Sequence, residues 1–146
     1  MKQKEKDLLL KDLCGRLPYR IKCSFGVDDA VYEITGINPS CCGASEIQAT
    51  HVKSSINGDF KLGCCKPYLF PLSSMTEEQK EEYNQSRLKD LRMLNSVLME
   101  RISDENNFDR LVVAHNEIDW LNKNHFDYRG LIPMGLAIDC TNLGIY

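Results

Sequence analysis

Along residues 3–14, Leu9, Leu10 and Leu13 share one helical face, Gly15 is placed to end the helix, and Pro18 prevents its return. From Tyr19 the period shortens to two. Tyr19, Ile21, Cys23 and Phe25 alternate with Arg20, Lys22 and Ser24, as in a half-buried strand. After the turn Gly26–Asp29, residues 31–37 are rich in β-branched and aromatic side chains and end at Asn38-Pro39, so these two strands predict a hairpin. "EIQATHVKSS" (46–55) and "DFKLGCC" (59–65) flank Asn57-Gly58, whose tolerance of positive φ predicts a second hairpin turning at that pair. In "KPYLFPL" (66–72), neither Pro67 nor Pro71 can donate to a ladder, which predicts an edge strand or an extended crossing.

The period then becomes helical. Ser74 with Glu77, or Thr76 with Gln79, forms a capping box, and Leu88, Leu91, Leu94, Leu98 and Ile102 recur at helical spacing, predicting a long amphipathic helix over 76–103. "SDENNFD" (103–109) breaks it, "RLVVA" (110–114) fits a strand or a helical turn, and "NEIDWLNKN" (116–124) reads as a short helix capped by Asn116. In "NHFDYRGLIPMGLAI" (124–138), Asp127 is placed to cap a turn. Phe126, Leu131, Ile132, Leu136 and Ile138 supply apolar surface, and the glycines allow close approach or positive φ. The resulting expectation is an α+β protein. An N-terminal helix and a small antiparallel sheet or SH3-like barrel occupy 1–72, and a helical region with one long helix occupies 73–146, packed as one compact unit.

Composition narrows the function classes. In 146 residues, 42% hydrophobic and 27% charged side chains describe a soluble globular chain that folds. Ten Lys/Arg face eight Asp/Glu in residues 1–74, and eight face thirteen in 75–146, so neither half carries the basic field that nonspecific nucleic-acid binding uses. The N-terminal apolar run is only Leu8–Leu10, too short for a signal peptide, and no stretch is apolar enough for a transmembrane helix. Seven cysteines, an odd number, suit a reducing cytoplasm. The adjacent pairs Cys41-Cys42 and Cys64-Cys65 lack the C-x₂₋₄-C spacing of structural zinc, so each is expected to give one thiol to the core and leave the other outside. His51, His115 and His125 read as structural residues. No phosphate loop, dinucleotide turn or nucleophile elbow is present, and neither a cofactor nor an enzyme activity is expected.

Two segments, "KPYLFPLSSMTEEQ" (66–79) and "IDWLNKNHFDYRGLIPMGLAID" (118–139), resemble a set of small uncharacterised proteins of bacteriophages and prophages in gut Bacteroidetes. The resemblance implies a phage or prophage context in a bacterial host cytoplasm and transfers no catalytic residue. Pro133-Met134 stands where the pattern has a charged pair, which argues against a regular helix over 131–136. The preferred expectation is therefore a non-enzymatic accessory protein that binds a protein partner. Trp120, His125, Tyr128 and Arg129 form its candidate interaction surface, because Trp, Tyr and Arg dominate interface energetics. One alternative is a small-ligand or nucleotide-signal binder in defence evasion, anchored by Arg16, Tyr19, Arg20 and Lys22. A metal-dependent or thiol enzyme and a weak nucleic-acid binder rank below it; the helix-turn-helix outline around 118–138 offers a groove only one Arg, with two Gly and a Pro. Self-association through the Leu88–Ile102 face is a further expectation.

Overall fold

The computed structural model describes residues 1–26, 30–38, 46–98 and 106–146, without the side chains of 88–98 and 106–114. Its elements are α1 (Gln3–Arg16), β1 (Lys22–Ser24), β2 (Tyr32–Asn38), β3 (Glu46–His51), β4 (Asn57–Lys61), β5 (Lys66–Leu69), α2 (Glu77–Leu98), α3 (Asn106–Lys123) and β6 (Ile138–Asp139). The six strands form an open sheet in the order β4-β3-β2-β1-β5-β6, antiparallel throughout except for the parallel β5–β6 pair. Of the two expected forms, sheet or barrel, the described strands make the sheet. Among the described residues it keeps two edges, β4 and β6.

Alternation decides which face is buried. Ile47 and Ala49 of β3 point inward with Ile34, Cys23 and Phe25, whereas Glu46 and Gln48 point to solvent. The inner face packs on Leu9 and Leu13 of α1 and on Leu131, Leu136 and Ala137 from the chain's last quarter, so the two halves share one core. A second cluster joins Trp120, Leu121 and Phe126 to Phe70, Met75, Tyr83 and Tyr128. Burying a side chain of Leu or Ile size stabilises by about 1.5–3 kcal/mol.

Four local expectations change. The β3–β4 turn lies at 52–55, closed by Ser55 N–H to the His51 carbonyl (2.9 Å) with Ser55 at φ 56°. His51 Nδ1 accepts the Ser54 N–H at 3.0 Å, which holds this turn. Asn57 and Gly58 are instead the first residues of β4, paired with Thr50 and Ala49. Gly58 is useful there because Phe60 folds back over it: a Cβ would sit 2.9 Å from the Phe60 ring, which is stacked on Phe25 at 3.8 Å between centroids. Second, β5 is interior, between β1 and β6. Pro67 survives because β6 begins pairing only at Tyr68, so the side on which Pro67 lacks an N–H carries no ladder partner. Third, α3 runs unbroken from Asn106 to Lys123, which absorbs "RLVVA" and leaves Asn116 inside the helix rather than at its cap. Fourth, Gly15 lies within α1, where its missing side chain admits Asn122: a Cβ would sit 3.2 Å from the Asn122 amide nitrogen. The backbone of α2 agrees with the expected long helix as far as Leu98. The contacts of the Leu88–Ile102 stripe and the Cys41-Cys42 pair lie outside the described residues.

Leu131 tests the shared core. Leu131→Ala is expected to cost about 2–5 kcal/mol while unfolding stays a single transition by both far-ultraviolet circular dichroism and Trp120 fluorescence. Two separated transitions would show instead that the halves carry independent cores.

Candidate functional site

The residues with most chemistry meet where the end of α1 touches the end of α3. Arg16, the last residue of α1, is fully buried and forks onto Asp12 one turn earlier, Nε to Oδ2 at 2.7 Å and Nη2 to Oδ1 at 3.2 Å. Its other donors cross to the chain's last third: Nη2 gives to the Phe126 carbonyl at 2.7 Å and Nη1 to the Leu121 carbonyl at 3.5 Å. Arg129 Nε lies 3.2 Å from the same Asp12 carboxylate, close enough for an ion pair. Its N–H points off that line, so the contact is not a hydrogen bond. The Tyr128 ring lies against both guanidiniums, 5.3 Å from Arg16 Cζ and 4.8 Å from Arg129 Cζ.

Beyond α3 the chain turns sharply at His125, which takes the left-handed conformation at φ 59°. Its carbonyl accepts the Phe70 N–H at 2.9 Å, and the Asp127 N–H returns to the Phe70 carbonyl at 2.8 Å, which ties 125–127 to the end of β5. Asp127 then caps the next turn, accepting the N–H groups of Leu131 and Ile132, both at 2.8 Å. The His125 ring stacks on Tyr146, 3.9 Å between centroids at 13°. The Tyr146 hydroxyl bridges two strands, accepting the Lys22 N–H at 3.0 Å and donating to the Tyr68 carbonyl at 3.1 Å. Lys22 Nζ donates to the Ile145 carbonyl at 2.5 Å. Burial first, then the nearby Arg16 and Lys22 charges, holds the His125 imidazole down to about 4.

The two sets of candidate residues therefore largely converge. Trp120 and His125 are buried, each 8% exposed, and Tyr128 and Arg129 are half-buried. Trp120 is drawn inward by stacking on Phe126 at 5.8 Å and by Tyr83 at 5.2 Å. Arg16 and Lys22 reach the same junction, and Tyr19 hydrogen-bonds to Asp119 of α3. Arg20 stands apart, exposed and paired with Glu33 at 2.9 Å. Asp12 and Tyr146 complete the site. The i,i+4 spacing of Asp12 and Arg16 was a readable signal for the first, and nothing local marks the second.

A different surface lies at the far edge of the sheet. Thr35, Gln48, Thr50, Asn57 and Asp59 line a cleft of about 400 Å³ over the outer face of β2–β4. Beside it, β4 has no strand partner on its outer side among the described residues. Val52 and Ile56, 46% and 67% exposed, sit at the adjoining hairpin tip. Cys64, the last residue of a 3-10 turn over Leu62–Cys64, is exposed, and Cys65 just after it is buried. Hydrogen bonding to Cys65, followed by burial, pushes the Cys23 thiol up, which opposes its use as a nucleophile. Among the described residues, no group of three His, Cys, Asp or Glu suits a metal ion, and no helix is long and apolar enough to cross a membrane.

Two measurements probe the junction. Asp12→Asn leaves the buried guanidinium without its counter-charge and is expected to cost about 3–5 kcal/mol, whereas the double replacement Asp12→Leu with Arg16→Met costs less than that single change. A cost below about 1 kcal/mol for Asp12→Asn would show that the pair is dispensable. His125 sets a pH dependence, because its folded value near 4 lies below the unfolded 6.5. Its contribution is complete above pH 6.5 and is lost as pH falls toward 4, on the order of 3 kcal/mol. Urea titrations across this window should show that slope in the parent and a flatter one in His125→Phe; equal slopes would remove His125 as the cause.

Comparison of the chain with family models, with curated proteins and with solved structures gave no match.

Proposed function

We propose that the chain is a non-enzymatic phage or prophage accessory protein that binds a protein partner in the host cytoplasm by taking an extended segment of it onto the β4 edge. The observation that carries this reading is the β4 edge, open among the described residues and bordered by the polar cleft and by exposed Val52 and Ile56. An added strand gains main-chain hydrogen bonds from the edge and specificity from side chains seated beside it. The polarity of β4 fits such a role. His51 N–H bonds to the Ile56 carbonyl, so by antiparallel alternation the N–H groups of Asn57, Asp59 and Lys61 face outward. Asp59 and Lys61 also guard the edge against indiscriminate pairing, as charged edge residues do. The mechanism is occlusion: the partner's segment, once paired, is withheld from its other contacts. Trp120 and His125 lie inside the fold and leave the sheet edge as the better contact surface.

Asp59→Pro separates this reading from others, because it removes an outward N–H while sparing the bonds to β3. A photo-crosslinking residue at Lys61, used in host cells, is expected to yield a discrete adduct that falls at least tenfold in Asp59→Pro, with the thermal midpoint little changed. An adduct that persists undiminished would overturn the edge-pairing mechanism.

A further inference from the structure

Among the described residues, the buried side-chain polar atoms without a hydrogen-bond partner are Trp120 Nε1, Asn122 Oδ1, His125 Nδ1, Tyr128 Oη and Arg129 Nε. All five belong to one ten-residue stretch. Buried donors and acceptors are normally paired, and leaving one unpaired is costly, so their concentration in one place calls for a local cause. We infer that the α1–α3 junction is a binding site for a small oxyanion of the phosphate type, held by Arg129, the Tyr128 hydroxyl and the Trp120 indole N–H.

Three observations fix the chemical class. Of the five unpartnered atoms, Trp120 Nε1, Tyr128 Oη and Arg129 Nε carry hydrogens they can donate, whereas Asn122 Oδ1 only accepts and takes no part in holding an anion. The charges do not balance: Arg16 and Arg129 share the single carboxylate of Asp12. The neighbouring carboxylate, Asp127, is already committed to the backbone of Leu131 and Ile132. Among the described residues one guanidinium charge is therefore left over, which favours an anion and opposes a cation. These groups also form one packed unit, since Tyr128 touches both guanidiniums and packs on the Trp120–Leu121–Phe126 cluster. A tetrahedral oxyanion offers acceptor oxygens in several directions, which suits three donors from three different side chains better than a flat carboxylate does. Tyr128 and Arg129 are half-buried, while the three donor atoms themselves are shielded from solvent. This site is remote in the sheet order from the β4 edge, and its test is independent of the partner reading.

Trp120 is the only tryptophan in the chain and reports on the site directly. Its fluorescence would be titrated with inorganic phosphate and, separately, with glycerol phosphate, at ionic strength held constant with chloride. The expected result is a saturable change with phosphate and none with chloride. Equal half-saturation for the two probes assigns recognition to the phosphate group alone, and tighter binding of glycerol phosphate assigns it to a monoester; either supports the site. Tyr128→Phe discriminates the proposal from a structural role. It is expected to raise the half-saturation concentration at least tenfold while the ligand-free thermal midpoint holds or rises, because an unpaired buried hydroxyl has been removed. Arg129→Gln should weaken the response to a similar degree with far-ultraviolet circular dichroism unchanged. No saturable change with either probe, or a response that Tyr128→Phe leaves intact, would overturn the inference.

Discussion

The buried Asp12–Arg16 pair is the constraint on which the other contacts depend. Both side chains are completely buried, and taking two charges out of water is unfavourable unless nearly every donor finds an acceptor. Asp12 satisfies one side of the guanidinium at helical spacing, a local contact that α1 makes by itself. The remaining donors need carbonyls from elsewhere and find them at Leu121 and Phe126, more than a hundred residues away in sequence. The carbonyl at Phe126 is available only because α3 has stopped at Lys123 and His125 has turned the chain. One local ion pair is thereby fully satisfied only when a distant helix ends where α3 does. Such a pair adds little net stability over an apolar substitute, but a chain that loses one partner holds an isolated buried charge.

From that point order spreads along the C-terminal third by short steps. His125 and Asp127 exchange backbone bonds with Phe70 at the end of β5. Asp127 fixes the turn into Leu131, whose side chain enters the core beside Leu9 and Leu13. Gly130 and Gly135, at φ 73° and 71°, supply the left-handed turns that bring Ile138 back alongside Tyr68 as β6. The stretch 124–138 therefore folds the chain end onto the sheet. The same segment carries the unpartnered donors, so scaffold and candidate site are built from one set of residues.

Much of this architecture was legible because it rests on periodicity. Alternation at 46–51 and helical spacing after Thr76 correspond to β3 and α2, and Asp127 was identifiable as a cap from its place before a glycine-rich turn. Of the alternation at 19–25 only Lys22–Ser24 is strand, because Leu17–Tyr19 form a 3-10 turn and Arg20 is left-handed at φ 56°. What escaped depends on distant partners. Asn57-Gly58 carries the strongest local turn signal in the chain, yet His51 and Ser54 stabilise a turn several residues earlier, and Phe60 needs Gly58 to be flat strand. Pro67 looked like an edge residue because nothing in the sequence shows that β6 pairs one residue later. Residue type alone made Trp120, His125, Tyr128 and Arg129 candidates for a contact surface. Their depth was not legible, since burial follows from Arg16 across the junction and from stacking on Phe126.

The two candidate surfaces stand on opposite sides of the sheet order, which bears on how they act together. β4 is one edge, while the junction is attached through β5 and β6 at the other. Between them lie β1, β2 and β3, whose inner side chains are close-packed with α1 and transmit displacement poorly unless a second packing exists. A small anion at the junction would pair the unpartnered donors of Trp120, Tyr128 and Arg129 and stabilise the end of α3 without reshaping β4. Partner engagement at β4, in turn, leaves the Arg16–Asp12–Arg129 charge balance untouched. Stabilisation of the shared core is then the route by which one site influences the other, because a ligand that binds only the folded state raises the population able to pair at the edge. The coupling expected from this arrangement is global and thermodynamic, with no dedicated path of side chains between the sites.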